Sequence, residues 1–133
     1  MSTQPARHRV VVVGGGFGGL QAALKLARMP VEVTLVDRRN FHLFQPLAYQ
    51  VATGALSPGE ICYPLRAVFK RRGNVRVLMA EVTGFDLASR RVEVEPIGQS
   101  AVSIAYDTLI VAGGSQYSYF GHDDWRAAAP ELK

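Results

Sequence analysis

The residues with the clearest chemical purpose are glycines. Positions 14–19 read Gly14-Gly15-Gly16-Phe17-Gly18-Gly19, with the spacing G-x-G-x-x-G at 14, 16 and 19. The three fingerprint glycines differ in what they permit. Gly14 allows a tight turn, Gly16 lets backbone N–H groups approach a pyrophosphate, and Gly19 lets a helix pack close to a strand. A helix opening at this point would turn the positive end of its dipole toward the phosphates. Glycine costs roughly 0.5–1 kcal/mol wherever the backbone is regular, so a turn with no ligand would not need so many. Asp37 follows Gly19 by eighteen residues, where a carboxylate can accept hydrogen bonds from an adenosine ribose. Its plainer roles are a helix cap or a surface acid. Arg38 and Arg39 would suit a 2′-phosphate, but Asp37 would repel one, and Arg38 fits equally as a stacking or polar partner of adenine. These residues spell out an ADP-containing dinucleotide and leave FAD and NAD unseparated.

The remaining candidates carry weaker chemistry. Gly113-Gly114 marks a second sharp turn or close backbone approach. Cys62 is the only cysteine of the chain, which excludes an intrachain disulfide or a C-x-x-C or C-x-x-x-x-C redox pair; a small, buried apolar role suits it best. His8, His42 and His122 have no metal-ligand spacing, and no metal is expected. Lys70-Arg71-Arg72 falls at the end of an expected helix, where cations favour the dipole. Trp125 beside Asp123-Asp124 reads as a surface or domain-edge anchor.

The elements that must position these groups can be read from periodicity. Arg9–Val13 is uniformly apolar and β-branched, as in a strand buried on both faces of a parallel sheet. The glycines follow, then Leu20, Ala23, Leu24 and Ala27 at helical spacing before Pro30. Val31–Val36 is a second strand, which completes a βαβ unit. Ser57 and Glu60 have capping-box spacing with Pro58 at the first helical position. Ile61, Leu65, Val68 and Phe69 continue an apolar stripe, so one helix is expected there, kinked near Pro64. Val75–Glu81 reads as a strand. Arg90–Glu95 and Val102–Tyr106 alternate as an antiparallel ribbon joined near Gly98, and Thr108–Ala112 is another buried parallel strand. Between these lies NFHLFQPLAYQVATG, from Asn40 to Gly54, without a single Asp, Glu, Lys or Arg. It matches neither periodicity, which suggests a buried, irregular segment.

Bulk properties set the outer limits. A chain of 133 residues with 48% apolar content has the size and composition of one packed domain. No run of about 18 apolar residues occurs, and the N-terminus lacks the pattern of a signal peptide. A net charge of +4, with basic residues scattered, gives no case for nucleic acid as a partner.

Three stretches carry a specific likeness: VVVGGGFGGLQAALKLA, TLVDRRNFHLFQPLAYQVATGALSPGEI and YDTLIVAGGSQYSYFGHDDW. Together they resemble the N-terminal part of the type II NADH:quinone oxidoreductases, single-subunit, non-proton-pumping flavoproteins of the pyridine nucleotide-disulfide oxidoreductase superfamily. The resemblance covers nearly the whole chain. It implies an α/β fold: an incomplete Rossmann-type FAD-binding domain, with a parallel sheet and an added small antiparallel β ribbon. It implies FAD as cofactor, with Gly14, Gly16, Phe17, Gly18 and Gly19 at the pyrophosphate and Asp37 and Arg38 at the adenosine end. Glu81-Val82 would meet the adenine by backbone, and Ala112-Gly113 would line the cofactor. Phe41, Phe44 and Tyr49 would wall the isoalloxazine, and Gln45, Tyr49 and Gln50 are flavin-proximal candidates. No residue is assigned as an acid or base. The family usually has Ala-Thr-Gly where this chain has Ala112-Gly113-Gly114, and often Leu where Ala48 stands.

The resemblance also implies partners, namely NADH and a quinone. Residues 1–133 would form the N-terminal part of the FAD domain. An NADH-binding domain and a C-terminal region would lie outside this chain, the latter holding the whole protein to the cytoplasmic face of the plasma membrane. A homodimer is compatible with it. On this reading the chain is a truncated product or fragment, soluble by itself, that binds FAD weakly or not at all and lacks NADH oxidase activity. The competing readings are a non-catalytic dinucleotide-binding module, or another flavin reductase such as a sulfide:quinone or ferredoxin reductase. The first of these reductases normally needs cysteines missing from this stretch, and the second usually lacks HLFQPL.

Overall fold

The computed structural model describes residues 5–131; the last two residues of the APELK tail lie outside that range. The first unit is β1 (His8–Val13), α1 (Phe17–Leu26) and β2 (Val31–Asp37). The two strands pair in parallel, with Val10 opposite Val33 and Val12 opposite Leu35. Helix α1 starts at Phe17, inside the glycine cluster and earlier than its apolar stripe suggests, because Gly16 serves as the N-cap. It ends at Leu26. The side-chain amide of Asn74 then donates to the carbonyls of Leu26, Met29 and Val31, holding the connection into β2.

The next stretch contains β3 (Phe41–Leu43), a 3₁₀ turn at Gln45–Leu47, and α2 (Ala48–Ala52). It continues through α3 (Pro58–Ile61), β4 (Cys62–Pro64) and α4 (Leu65–Val68). The expected single helix from Ser57 is therefore broken. Its capping box forms, with the Ser57 N–H donating to Glu60 Oε2 at 2.6 Å, but the helix stops after one turn. Tyr63 precedes a proline, which disfavours helical backbone, and Phe41–Leu43 offers an antiparallel partner to Cys62–Pro64. Cys62 lies in that ribbon rather than on a helix, and Lys70–Arg72 follow the short α4 in a turn. The segment from Asn40 to Gly54 is likewise neither wholly irregular nor wholly buried. Its backbone is used by β3 and α2, while Phe44 and Tyr49 are exposed.

Four further strands complete the main sheet: β5 (Val75–Asp86), β6 (Arg91–Pro96), β7 (Val102–Ala105) and β8 (Thr108–Val111). The order is β7-β6-β5-β2-β1-β8. Strand β8 pairs in parallel with β1, and the first half of β5 in parallel with β2. The second half of β5 pairs antiparallel with β6, across a register shift between Val82 and Gly84. One twelve-residue strand therefore belongs both to the parallel sheet and to the ribbon. The expected β6–β7 ribbon is present and turns at Gly98, whose φ is +71°.

Both faces of β1 and β2 are covered, as their continuous apolar runs require. On one face Val10, Val12, Val33 and Leu35 pack with Ala23 and Ala27 of α1 and with Leu65 and Phe69. On the other, Val11 and Val36 pack with Ala80, Val92, Val94 and Tyr106. The carboxyl ends of the parallel strands stay uncovered, and the site forms there.

Candidate functional site

An open cleft of about 860 Å³ lies at the carboxyl ends of β1, β2 and β8 and beside the middle of β5. Ligands of open parallel α/β sheets bind at this edge. Its floor is the glycine loop, and the three glycines of the fingerprint behave differently. Gly14 has a φ of +100°, and a Cβ on it would lie 2.1 Å from the Ala112 carbonyl oxygen. Gly19 is buried, and its Cβ would lie 1.6 Å from the Gly14 carbonyl oxygen. Gly16 is exposed, and a Cβ there would meet no atom within 4 Å. Two of the glycines are thus needed for backbone packing, and the third opens onto the cleft.

Helix α1 points its N-terminus at this loop. Its first turn carries no acidic residue and its N-cap makes no side-chain hydrogen bond. The unpaired N–H groups and the positive end of the dipole are therefore not neutralised by the protein itself. Across the loop, Asp37 closes β2. Its Oδ2 accepts from the Gly15 N–H at 2.6 Å, and its Oδ1 accepts from the Arg39 N–H at 2.6 Å. Each carboxylate oxygen has two lone pairs, so Asp37 braces the loop and keeps acceptor capacity for a hydroxyl in the cleft.

The expected pyrophosphate residues Gly14, Gly16, Phe17 and Gly18 line the cleft, as do Asp37, Arg38, Glu81, Val82, Ala112 and Gly113. Gly19 lies beneath it. Of the flavin-proximal candidates, Gln45 reaches the cleft with Phe41, whereas Tyr49 and Gln50 on α2 are not among its lining. Tyr49 is 73% exposed. Phe44 packs edge-on against Phe17, with ring centroids 5.8 Å apart. Leu43, Ser115–Tyr117, Arg126 and Glu131 also line the cleft and were not anticipated, and Arg39, weighed above only for a 2′-phosphate, lines it as well. Arg39 carries its guanidinium 5.9 Å from the Phe41 ring centroid, a cation–π contact. Arg126 pairs with Glu131 at 2.5 Å and lies over the Tyr119 ring. A second, smaller hollow of about 350 Å³ adjoins Arg38 and Glu81 and is walled by the Pro96–Gln99 turn.

His42 was also missed. Its ring is buried, lies 3.0 Å from the Gly15 carbonyl through Nδ1, and meets Phe17 edge-on at 5.0 Å. A lone imidazole in an otherwise charge-free segment was the available signal. Among the described residues there is no group of His, Cys, Asp and Glu able to hold a metal ion. No helix among them is long and apolar enough to cross a membrane.

A family model described as pyridine nucleotide-disulphide oxidoreductase matches residues 8–126. A type II NADH:quinone oxidoreductase of Mycobacterium tuberculosis is 51% identical over 129 residues, which is 97% of this chain and 28% of that protein. Among solved structures, NDH2 of Plasmodium falciparum in complex with NADH superposes with a TM-score of 0.80 at 26% identity, over 86% of this chain and 24% of that one. The sulfide:quinone oxidoreductase of Aquifex aeolicus superposes with a TM-score of 0.76 at 29% identity, over 84% and 25%. The chain thus spans about a quarter of the length of the proteins it matches.

Proposed function

The chain belongs to the pyridine nucleotide-disulphide oxidoreductase family, and from that premise we propose that it is the N-terminal, FAD-binding portion of a type II NADH:quinone oxidoreductase. The observation that carries the reading is the division of labour among the glycines. Gly14 and Gly19 pack backbone on backbone, while Gly16 leaves open space at an uncompensated helix N-terminus. An anion the size of a pyrophosphate fits that place.

The residues present fit FAD. The loop from Gly14 to Gly18 and the first turn of α1 would hold the pyrophosphate. Asp37 would accept from the ribose, and Arg38 with the backbone of Glu81 and Val82 would border the adenine. Ala112 and Gly113 would run alongside the cofactor, with Phe41 and Gln45 on the facing wall. When bound, FAD supplies the two-electron chemistry that links NADH to a quinone, and the protein contributes binding, orientation and electrostatics. Cys62 is the sole cysteine, so this portion offers no local dithiol between flavin and acceptor. NADH would bind in a domain outside these residues, and attachment to the cytoplasmic face of the plasma membrane would come from a C-terminal region likewise outside them. Alone, the 133 residues would hold FAD weakly or not at all.

The test is a visible spectrum, with FAD added, of the purified extended protein, carrying whatever sequence its gene encodes in addition to these residues. Bound flavin that NADH bleaches and a quinone restores is the expected result. A colourless extended protein overturns the reading. The likeness to a sulfide:quinone oxidoreductase supplies a second reading, favoured if sulfide rather than NADH bleaches the flavin.

A further inference from the structure

Gly15 is the residue that the fingerprint leaves unspecified, yet side chains hold it at both ends. Its N–H donates to Asp37 Oδ2 at 2.6 Å. Its carbonyl lies 3.0 Å from His42 Nδ1. A carbonyl oxygen only accepts, so Nδ1 must carry the hydrogen. Beneath, Leu65 closes the packing, for a Cβ on Gly15 would lie 2.6 Å from its Cδ1. Among the described residues His42 is the one buried polar or charged side chain. Strand β3 holds it in place opposite Tyr63 of β4, and Phe17 covers its ring edge-on.

We propose that His42 is a positioning residue of the phosphate-binding loop, orienting the Gly15–Gly16 peptide so that the Gly16 amide faces the bound anion. The peptide group is planar and trans, so its C=O and N–H point in opposite directions. Fixing the Gly15 carbonyl toward His42 turns the Gly16 N–H away from it. Gly16 lines the cleft, with free space where a side chain would stand. Consecutive glycines do not hold one peptide orientation by themselves, because both signs of φ are open to them. Asp37 and His42 supply that restraint before any ligand arrives, and a preorganised donor binds more tightly than one that must be ordered. The clamp is a property of the loop itself; its purpose rests on the FAD reading above.

Two measurements test it. At about pH 9, where an ordinary imidazole is neutral, the ¹⁵N shifts of the His42 ring in the ligand-free 133-residue chain should report the Nδ1–H tautomer. The Nε2–H tautomer would overturn the clamp. FAD is then titrated into the extended protein and its His42→Leu and His42→Asn variants. The leucine variant should bind about tenfold more weakly, the loss expected for one hydrogen bond. Asparagine, which can place an amide N–H near the position of Nδ1, should recover most of that loss. Equal binding by the leucine variant, or no recovery with asparagine, overturns the proposal while the cofactor reading stands. If the unaltered extended protein takes no FAD, both fall together.

Discussion

Gly19 lies directly against Gly14: a Cβ on Gly19 would sit 1.6 Å from the Gly14 carbonyl oxygen. The contact joins the first turn of α1 to the end of β1, so the helix N-terminus can stand over the strand only if position 19 lacks a side chain. Both atoms of the clash belong to backbone, and no rotamer change relieves it. Gly19→Ala should therefore cost about 3 kcal/mol or more, at the upper end for overpacking. Gly14→Ala should cost a similar amount, since a positive φ adds about 1–2 kcal/mol to its own clash with Ala112. Urea unfolding followed by circular dichroism measures both. Gly59→Ala, where a Cβ meets nothing within 4 Å, is the control and should be neutral or slightly stabilising.

Gly16→Ala should separate binding from folding. The new methyl group meets no protein atom, and alanine at an N-cap costs no more than about 1 kcal/mol. The unfolding free energy should fall by no more than about 1 kcal/mol, well short of the loss for Gly14→Ala or Gly19→Ala. In the cleft, however, the methyl group stands where a phosphate would approach, and losing one charge-assisted hydrogen bond weakens binding roughly tenfold to a hundredfold. Titration of FAD into the extended protein checks this. Unchanged affinity would remove Gly16 from the site.

The contrast between these glycines was legible in the sequence because the fingerprint gives each position a separate role. The parallel strands were legible too: RVVVV and VEVTLV are runs covered on both faces, whereas TLIVA, read as equally buried, is the edge strand β8 and leaves Val111 exposed. What escaped depended on partners distant in the chain. Cys62–Pro64 became a strand because Phe41–Leu43 lies beside it, and nothing in ICYPLRAVF reports that neighbour. The second half of β5 was invisible for a similar reason: VTGFD gains its order from β6, across a register shift. The resemblance offers Tyr49 and Gln50 as flavin-proximal candidates, but they follow the turn at Gln45–Leu47 on α2, off the cleft lining. The place of His42 was unreadable for the opposite reason, since its partner is a backbone carbonyl and not a residue type.

Asn74→Asp tests how α1 is joined to β2. The Asn74 amide faces three carbonyls, those of Leu26, Met29 and Val31, at 3.0 to 3.3 Å. A carboxylate there places negative oxygen against negative oxygen. At neutral pH the half-buried site should lose about 1–3 kcal/mol of stability. The introduced carboxyl would have its pKa raised by those carbonyls, so part of the loss should return as pH falls and the group gains an O–H to donate. A deficit that does not depend on pH would argue against the amide's role as donor.

Asp37→Asn should loosen the loop without emptying the space. The native carboxylate accepts from two N–H groups at once, Gly15 through Oδ2 and Arg39 through Oδ1. An amide has a single acceptor oxygen, so one of those N–H groups must face an NH₂. The expected cost is about 1.5–3 kcal/mol at most, reduced by the partial exposure of the site. Amide hydrogen exchange at Gly15 or Arg39 should speed up, whichever bond is lost, and FAD affinity should fall as well. Native exchange at both amides would refute the bracing role.

Arg9 and Asp107 tie β1 to the start of β8, and their pairing predicts an acid limit to stability. Asp107 accepts from the Arg9 side chain through Nε at 3.1 Å and Nη2 at 2.9 Å, and from the Arg9 backbone N–H at 2.8 Å. The guanidinium hydrogen bonds, followed by the backbone N–H, hold the Asp107 carboxyl well below the usual carboxylate range. Its pKa is lower folded than unfolded, so between the two values the unfolded chain binds more protons and acid favours unfolding. The stabilisation is present in full above the unfolded value of about 4 and fades as pH drops through the folded one. Wild type should therefore outlast Asp107→Asn in urea by a constant margin from neutral pH to about pH 5. Below that the margin should shrink steadily. A margin that stays level into strong acid would mean that the charge on Asp107 does not hold these strands together.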